Sequence, residues 1–267
     1  MRRSLVLPLA LGILGLLLLA AAAPGLFAGH SPTEVDLGAV LQPPSGRHWF
    51  GTDQLGRDVW SRAVHGTRFS LLTGLAATAL AGTGGTALAL LMVVGGRIVD
   101  SLLIRVLDVL LAFPGLLLAL LVVAVTGPGA AGALTAIAIA SVPGYARMVR
   151  AQAQVVRRSD YVTAAVVMGV SRPVVIWRHV LPNALRPLIV LATLGIGEAV
   201  IIGSSLGFLG LGAPQPAPEW GAMLAAGRDH YTSAWWVAAF PGLLITALVM
   251  TVTVVGRRVQ RRLEGWG

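Results

Sequence analysis

Cysteine is absent from all 267 residues of this chain, and its absence removes several kinds of chemistry at once. Disulfide bonds, nucleophilic thiols and thiolate-bound metal ions all require a residue that the sequence does not contain. Without cysteine, the sequence also does not indicate whether the protein's compartment is oxidising or reducing, because that inference depends on cysteine usage.

Lysine is missing too, since all 20 basic residues are arginines. The phosphate-binding loop of P-loop ATPases requires a lysine directly after its glycines. The glycine clusters at residues 81–85 and 203–212 contain none, so the chain cannot hydrolyse ATP through such a loop. Any ATP that drives its function must therefore be hydrolysed by a partner.

Charged side chains are scarce: they make up 12% of the chain, whereas hydrophobic residues make up 56%. A soluble domain of ordinary composition has about a quarter of its residues charged. The composition therefore predicts an integral membrane protein. The net charge of +9 does not indicate nucleic-acid binding, because the arginines flank apolar runs instead of forming one polar patch.

Six apolar runs come close to or exceed the ~20 residues with which an α-helix crosses a bilayer. They are roughly residues 5–27, 69–95, 106–126, 130–148, 187–210 and 234–256. A Thr-Gly-Pro-Gly turn alone separates the third from the fourth, which predicts a helical hairpin. The first run follows Arg2-Arg3 and contains Ala21-Ala22-Ala23, like a cleavable signal peptide, but it exceeds the ~7–15 residues of a signal core. We therefore expect a retained helix.

The distribution of the arginines predicts that both termini and the loop of residues 160–183 face the cytoplasm. In that orientation fifteen arginines lie on the cytoplasmic side and five outside, in agreement with the positive-inside rule, whereas the opposite orientation would reverse the bias. The outer five are Arg47, Arg57, Arg62, Arg68 and Arg228.

The predicted cytoplasmic loop is polar, rich in arginine and broken by turns, although long apolar runs enclose it. Its first half has the composition of a short helix that Ser159 or Asp160 can cap and Gly169 can end. A second short helix restarts near Pro173, and Pro182 is expected to end it. This order of elements predicts a protruding docking element rather than a plain connector.

The loop resembles the EAA loop of ABC importer permeases, whose pattern is Glu-Ala-Ala, three residues, Gly, nine residues, Ile-x-Leu-Pro. Here Thr163-Ala164-Ala165 is followed by three residues and Gly169, then by nine residues and His179-Val180-Leu181-Pro182. All spacings of the pattern are kept, while Thr163 replaces the glutamate and His179 replaces the isoleucine. A role that needs a carboxylate at position 163 is therefore not expected.

Three further segments are similar to the C-type permease subunit of dipeptide, oligopeptide and nickel importers, and they occur in the order of that family. They are residues 48–58, 206–221 and 233–242. The resemblance implies the all-α membrane fold of a type I (MetI-like) importer permease with six transmembrane helices. It also implies an N-terminal helix with an outer segment at residues 1–68 and a core permease domain at residues 69–267.

The same resemblance implies how such a chain works. The short helix of the loop inserts into a groove of a cytoplasmic ATPase subunit, and closure of two ATPases moves two permeases between inward-open and outward-open states. The expected coupling residues are Asp160, Tyr161, Thr163, Ala164, Ala165, Gly169, His179, Leu181 and Pro182. The loop's arginines can pair with acidic groups of the partner or with anionic lipid head groups. An amphipathic segment resting on the membrane surface is the alternative interpretation of the loop.

The implied partners are a second, different permease subunit, two ATPase subunits and an extracytoplasmic solute-binding protein, in the cytoplasmic membrane of a bacterium. No cofactor is expected on this chain, since ATP and magnesium would bind to the ATPases.

The outer segment around Asp53, Arg57 and Asp58 has two interpretations of equal weight. It is either a lip that receives the solute-binding protein or a solvated cap whose charges pair locally, at up to ~1 kcal/mol for each exposed pair. No metal site is expected on this side, because its histidines lack the close spacing of metal ligands. They are His30, His48 and His65.

Glu198 is a carboxylate deep within an apolar run, where acids are costly and often functional. Together with Ser204 and Ser205 it is our candidate for the translocation path. A protonated Glu198, or one paired with a neighbouring subunit, is the open alternative. Pro114 and Pro143 predict kinks in the third and fourth helices.

These observations predict a permease subunit of an ATP-driven importer, with short peptides as the expected cargo and nickel or another small solute as the alternative. The competing class is a secondary transporter or channel driven by an ion gradient. The scarcity of intramembrane ionisable groups and the lack of a visible inverted repeat argue against it. An enzyme is not expected, because the helices carry no paired acids and no histidine-rich metal motif.

Overall fold

Helices account for all six apolar runs in the computed structural model, which describes residues 3–264 and the side chains of residues 6–262. In chain order the helices are α1 (Arg3–Ala22), α2 (Val59–Val94), α3 (Gly96–Leu111), α4 (Gly115–Thr126), α5 (Ala130–Arg157), α6 (Asp160–Val167), α7 (Arg172–Val175), α8 (Leu181–Ala184), α9 (Leu188–Phe208), α10 (Trp220–Arg228) and α11 (Trp236–Glu264). Of the described helices, α2, α5, α9 and α11 are each long and apolar enough to cross a membrane, and α3 with α4 would make a fifth span. The apolar part of α1, Val6–Ala22, is shorter. Arg2, which entered the count of arginines, lies outside the described residues.

The third span is broken rather than kinked, which corrects the prediction of one helix over residues 106–126. Helices α3 and α4 meet at an angle of 99°. Pro114 stands at the N-cap of α4 with extended backbone angles, and the residue before a proline is itself disfavoured in the helical region. By contrast, α5 contains Pro143 and continues as one helix from Ala130 to Arg157.

Helix α2 begins ten residues before the apolar run from which it was predicted. The carboxylate of Asp58 accepts a hydrogen bond from the backbone N–H of Ser61 at 2.7 Å, so the cap and not the hydropathy determines where the helix starts. The division proposed between residues 68 and 69 consequently falls inside α2. The residues before it share one buried cluster with the residues after it, including Leu17, Val59 and Val200.

The bundle has two ends with different characters. Trp60 donates its indole N–H to the carbonyl of Phe27 at 2.8 Å, and Trp236 donates to the carbonyl of Thr52 at 3.1 Å. The end of α1 and the starts of α2 and α11 therefore meet at one end of the bundle, here called the opposite end. The start of α1, the end of α11 and the loop of residues 160–183 lie at the other, here called the loop end. Leu17 of α1 is buried in the shared cluster, which is the packing that a retained helix requires.

Candidate functional site

The loop end carries a short helix that stops in a well-defined turn. After α6, the N–H of Gly169 bonds the carbonyl of Val166 and the N–H of Val170 bonds that of Ala165, both at 3.0 Å. This pair of bonds is a Schellman motif, and it requires a left-handed residue, which Gly169 provides with φ +83°. Ser159 occupies the N-cap position as predicted, but its hydroxyl donates to the carbonyl of Val156 at 2.6 Å and not into the helix.

The second half of the loop does not end at Pro182, which corrects that prediction. The chain forms α7, then a π-helical turn at Ile176–Val180, then α8, which contains Pro182 in its first turn. The wider turn lets the N–H of Leu181 bond the carbonyl of Ile176 five residues back. Proline has no N–H to donate, and the first turn of a helix is where that loss is tolerated.

The loop rests on the transmembrane helices through a small apolar core. Ala153 of α5, Val162 and Ala165 of α6, and Val175, Val180 and Ala184 of the second half are buried together. Asn183 links the two halves, because its amide donates to the carbonyl of His179 at 2.7 Å and to the hydroxyl of Tyr161 at 3.2 Å. The protruding helix is therefore held on a fixed base.

The predicted coupling residues are distributed over both faces of this element. Ala165 faces the base, and His179 and Leu181 are half-buried. The remainder are exposed: Asp160, Tyr161, Thr163, Ala164, Gly169 and Pro182. Beside them the apolar side chains of Val167 and Met168 are 81% and 77% exposed. The tip of α6 thus presents small and apolar residues outward, which suits a close approach by a partner.

Two ion pairs fasten α3 to the end of α5 that leads into the loop. Arg150 contacts Asp100 in a bidentate arrangement, with Nε–Oδ1 and Nη2–Oδ2 distances of 2.5 and 2.6 Å. Further along α3, Asp108 pairs with Arg147 of α5, with an Nη2–Oδ1 distance of 3.0 Å. These pairs could not be predicted from the sequence, because the partners are about 40 to 50 residues apart in the chain.

At the opposite end the charges around Asp53 are buried, which contradicts the solvated-cap interpretation of this segment and leaves the interpretation as a lip for the solute-binding protein as a prediction. Asp53 accepts hydrogen bonds from the N–H groups of Leu55 and Arg57 and from the Arg57 side chain at 2.7 Å, and the Nε of Arg62 lies 3.7 Å away. The side chains of all three charged residues are at most 5% exposed. Arg57 and Arg62 also donate to Gln215 and Pro216, so the cluster ties the start of α2 to the segment before α10.

Two histidines and a carboxylate converge beside this cluster, although they are far apart in sequence. His48 contacts Asp58 at 2.8 Å between Nδ1 and Oδ1, and the rings of His30 and His48 lie 5.1 Å apart. One ligand-type atom from each of the three falls within 4.8 Å of the others. Because Asp58 also caps α2, the His48–Asp58 contact serves the local structure. His65 lies apart from this group and contacts the carbonyl of Ser61.

Glu219 is a buried carboxyl at the opposite end that sequence reasoning did not single out. Its Oε2 accepts the N–H of Ala213 at 2.8 Å, and a Cβ at Gly207 or Gly212 would collide with the carboxyl group. Burial raises the pKa of Glu219 to about 7. The glycines around it were visible in the sequence, but only the fold shows that they make room for this side chain.

We expect this carboxyl to make stability fall as the pH rises. The ordinary pKa of a glutamate side chain is 4.5, and in the folded protein the pKa of Glu219 is about 7, so between these pH values the folded state holds a proton that the unfolded state releases. The stabilisation is complete below pH 4.5 and is lost as the pH rises through 7, by on the order of 3 kcal/mol. Glu219→Gln should flatten this dependence in thermal unfolding measured from pH 5 to 8, while the exposed control Glu34→Gln should keep it. Equal slopes in the native protein and Glu219→Gln would contradict the assignment.

The predicted translocation residues lie on α9, but they do not form one cluster. Glu198 is exposed on the side of α9 that also carries Ile201 and Phe208. Ser204 and Ser205 line a hollow of about 410 Å³ with apolar walls. The hydroxyl of Ser205 donates to the carbonyl of Ile201 at 2.8 Å, so its own donor is satisfied within the helix.

Comparison with known proteins identifies the family. Residues 71–265 match the family model described as the binding-protein-dependent transport system inner membrane component, which is most of the chain. The chain belongs to this permease family. The family predicted from the EAA-like loop is thereby confirmed, and so is the prediction that the chain is a transport subunit and not an enzyme.

Individual relatives of the permease agree. It is 48% identical over 224 residues to the probable D,D-dipeptide transport system permease protein of Escherichia coli (strain K12), covering 83% of this chain and 75% of that one. It is 42% identical over 252 residues to the dipeptide transport system permease protein of Alkalihalophilus pseudofirmus, covering 94% and 83%.

A solved structure shares the fold of the permease. The MetNI methionine ABC transporter in an inward-facing conformation has a chain that matches with a TM-score of 0.62 at 19% identity, over 75% of this chain and 95% of that one. The predicted all-α fold of an ABC importer permease is therefore confirmed.

Proposed function

We propose that this permease forms half of the translocation pathway of a peptide importer that accepts dipeptides or short oligopeptides. The observation that carries the proposal is the identity of 48% and 42% with permeases named for dipeptide transport, across 83% and 94% of the chain.

We infer further that the loop of residues 160–183 is the docking site of an ATPase subunit. A helix that transmits force has to be rigid, and α6 has a fixed base, a Schellman turn and a link between the two halves of the loop. Its exposed tip offers apolar area and small residues to a groove. ATP and magnesium would bind to two such ATPases, and this chain would bind no cofactor.

A second permease subunit, different from this one, would complete the pathway. Helix α9 exposes Glu198, Ile201 and Phe208, and α4 exposes Leu117 and Leu121, so both helices have faces that nothing in this chain covers among the described residues. Glu198, Ser204 and Ser205 would then lie near the path of the cargo. The core for this task is residues 69–267, with α1 and the outer segment packed against it.

The orientation that we propose places the loop end in the cytoplasm. The two described ends of the chain lie at the loop end, so they share one side of the membrane with the loop. The arginine distribution favours the cytoplasm as that side. The opposite end would then meet the solute-binding protein outside the cytoplasmic membrane.

Reconstitution tests the proposed function. The permease should be placed in proteoliposomes with its second permease, ATPases and binding protein, and uptake of a labelled dipeptide measured with and without ATP. We expect uptake only from the complete, ATP-supplied assembly, and none from this chain alone. Uptake by the chain alone that follows an ion gradient would establish the competing class instead, and transport of nickel in place of dipeptide would correct the cargo.

A further inference from the structure

A cavity of about 830 Å³ opens between the loop and the ends of the membrane helices. Its walls come from the end of α2, the start of α3, the last turns of α5, and the loop from α6 to the π-helical turn. Much of its lining is apolar and includes Met92 and Val93 of α2 and Val162 and Val180 of the loop. Its volume lies within the ~300–1,000 Å³ that is usual for ligand sites.

The polar part of the lining is strongly basic. It contains four arginines and one aspartate, and Arg150 is already paired with Asp100. Among the described side chains, no carboxylate forms an ion pair with Arg97, Arg157 or Arg172. Asp100 also acts electrostatically on Arg157, so a single carboxylate faces four arginines in the lining. The cavity therefore places an excess of positive charge, from three different elements, around an apolar space, a combination that fits a ligand with an anionic head and a hydrocarbon tail.

The position of the cavity matches the level of lipid head groups. Helix α4 packs against α5, which is long enough to span the membrane, and α3 leaves α4 at 99°. Helix α3 is therefore steeply inclined to the spanning helices at the loop end, and its apolar residues Ile98 and Leu102 are exposed. Trp177 lines the cavity and is 63% exposed. Tryptophan at the ends of membrane helices, with arginine on the cytoplasmic side, is typical of the membrane–water interface.

An ATPase docked on α6 would leave this cavity open. Val162 and Val166, which line the cavity, are four residues apart and share one face of α6. Tyr161, Ala164 and Met168 are exposed and are spaced three and four residues apart, so they share a different face of the helix. The face proposed for docking and the face toward the cavity are thus separate.

We propose that the cavity binds an anionic phospholipid of the cytoplasmic leaflet. Arg97, Arg157 and Arg172 hold its phosphate, and an acyl chain covers the apolar lining. The lipid bridges α3 to the coupling loop, so it adds to the link that the Arg150–Asp100 pair already makes. The leaflet assignment rests on the proposed orientation, whereas the binding itself depends on neither the cargo nor the ATPase.

The test measures tightly bound lipid on the full-length permease, without its ATPases, by native mass spectrometry after exchange into mixed phosphatidylglycerol and phosphatidylcholine. We expect one phosphatidylglycerol to be retained in preference to phosphatidylcholine. The triple variant Arg97→Gln, Arg157→Gln, Arg172→Gln should lose it, with at least a tenfold fall in retained phosphatidylglycerol. The matched control Arg257→Gln, Arg258→Gln, Arg261→Gln removes the same charge from the end of α11 and should keep the lipid.

Four outcomes would overturn the proposal. Equal retention of both lipids by the native permease would show no anionic site, and equal losses in the two triple variants would show only a diffuse effect of net charge. Competition by glycerol 3-phosphate as strong as by phosphatidylglycerol would show a site for a free phosphate without an acyl chain. If the cavity variant kept its lipid and, in a separate pull-down with the ATPase subunits, no longer bound them, these arginines would belong to that partner. Dipeptide uptake is assayed separately, so a wrong cargo would not alter the lipid result.

Discussion

Replacing Gly169 by arginine should abolish co-purification of the ATPase subunits while the permease remains folded in the membrane. Gly169 has φ +83°, and a Cβ built at this position meets nothing within 4 Å. The substitution therefore costs only the backbone strain of a left-handed residue, about 1–2 kcal/mol, and clashes with no neighbour in this chain. The long charged side chain would instead project from the end of α6 into the space that the partner's groove has to occupy.

The chain offers a matched control for this experiment at Gly210. This residue ends α9 in the same kind of turn, with the N–H of Gly210 bonded to the carbonyl of Gly207 and that of Leu211 to the carbonyl of Leu206. It has φ +77° and equally open surroundings, but it lies at the opposite end. Gly210→Arg should keep the ATPase at the level of the native protein. Equal ATPase recovery from Gly169→Arg and the native chain, in a pull-down on the permease, would rule out docking at this loop.

Replacing Asp53 by alanine should have the largest effect on stability. The variant would leave Arg57 and Arg62 in the protein interior, where the Arg62 side chain is 2% exposed, without the carboxylate that they share. Removing one partner of a buried ion pair costs about 3–5 kcal/mol. Asp53 also accepts two backbone N–H groups, so the turn before α2 would lose its hydrogen bonds as well. The measurement is resistance to thermal unfolding in detergent.

The exposed pair Arg228–Asp229 supplies the comparison. Its two side chains are 67% and 70% exposed. Asp229→Ala should change stability by less than ~1 kcal/mol, because water solvates the charges of an exposed pair. Similar unfolding temperatures for Asp53→Ala and Asp229→Ala would mean that the buried cluster does not hold the opposite end together.

Features that depend on residues close together in the chain could be predicted from the sequence. Apolar runs located the membrane helices, and the glycine at position 169 correctly marked the end of α6 because a left-handed turn has a strong residue preference. At Pro114 a kink was predicted where the chain breaks, and the π-helical turn before Pro182 was not predicted at all. A proline shows that a regular helix is disturbed, but whether the chain bends, breaks or widens a turn depends on what packs around it.

Burial and long-range pairing were beyond the sequence. Asp53, Arg57 and Arg62 have the composition of a solvated surface. Segments distant in the chain enclose them, namely the one around Pro32 and the one before α10, more than 150 residues later. The burial of Glu219 could not be predicted for a similar reason. Glycines leave the space for its carboxyl group, and the sequence does not show which side chain fills that space. The proposed path residues illustrate the remaining gap: Glu198 lies on a face of α9 that a second subunit would have to cover.

The hydrogen-bonded tryptophans have a spectroscopic consequence. Indole N–H groups of Trp60, Trp220 and Trp236 donate to backbone carbonyls at the opposite end, and Trp49 and Trp235 pack beside them. At the loop end the described side chains include a single tryptophan, Trp177. Five of the seven tryptophans in the sequence therefore lie at the opposite end, and they will supply most of the intrinsic fluorescence of this permease. Without any added label, a shift in its emission should report the opening or wetting of that end far more than any movement of the coupling loop.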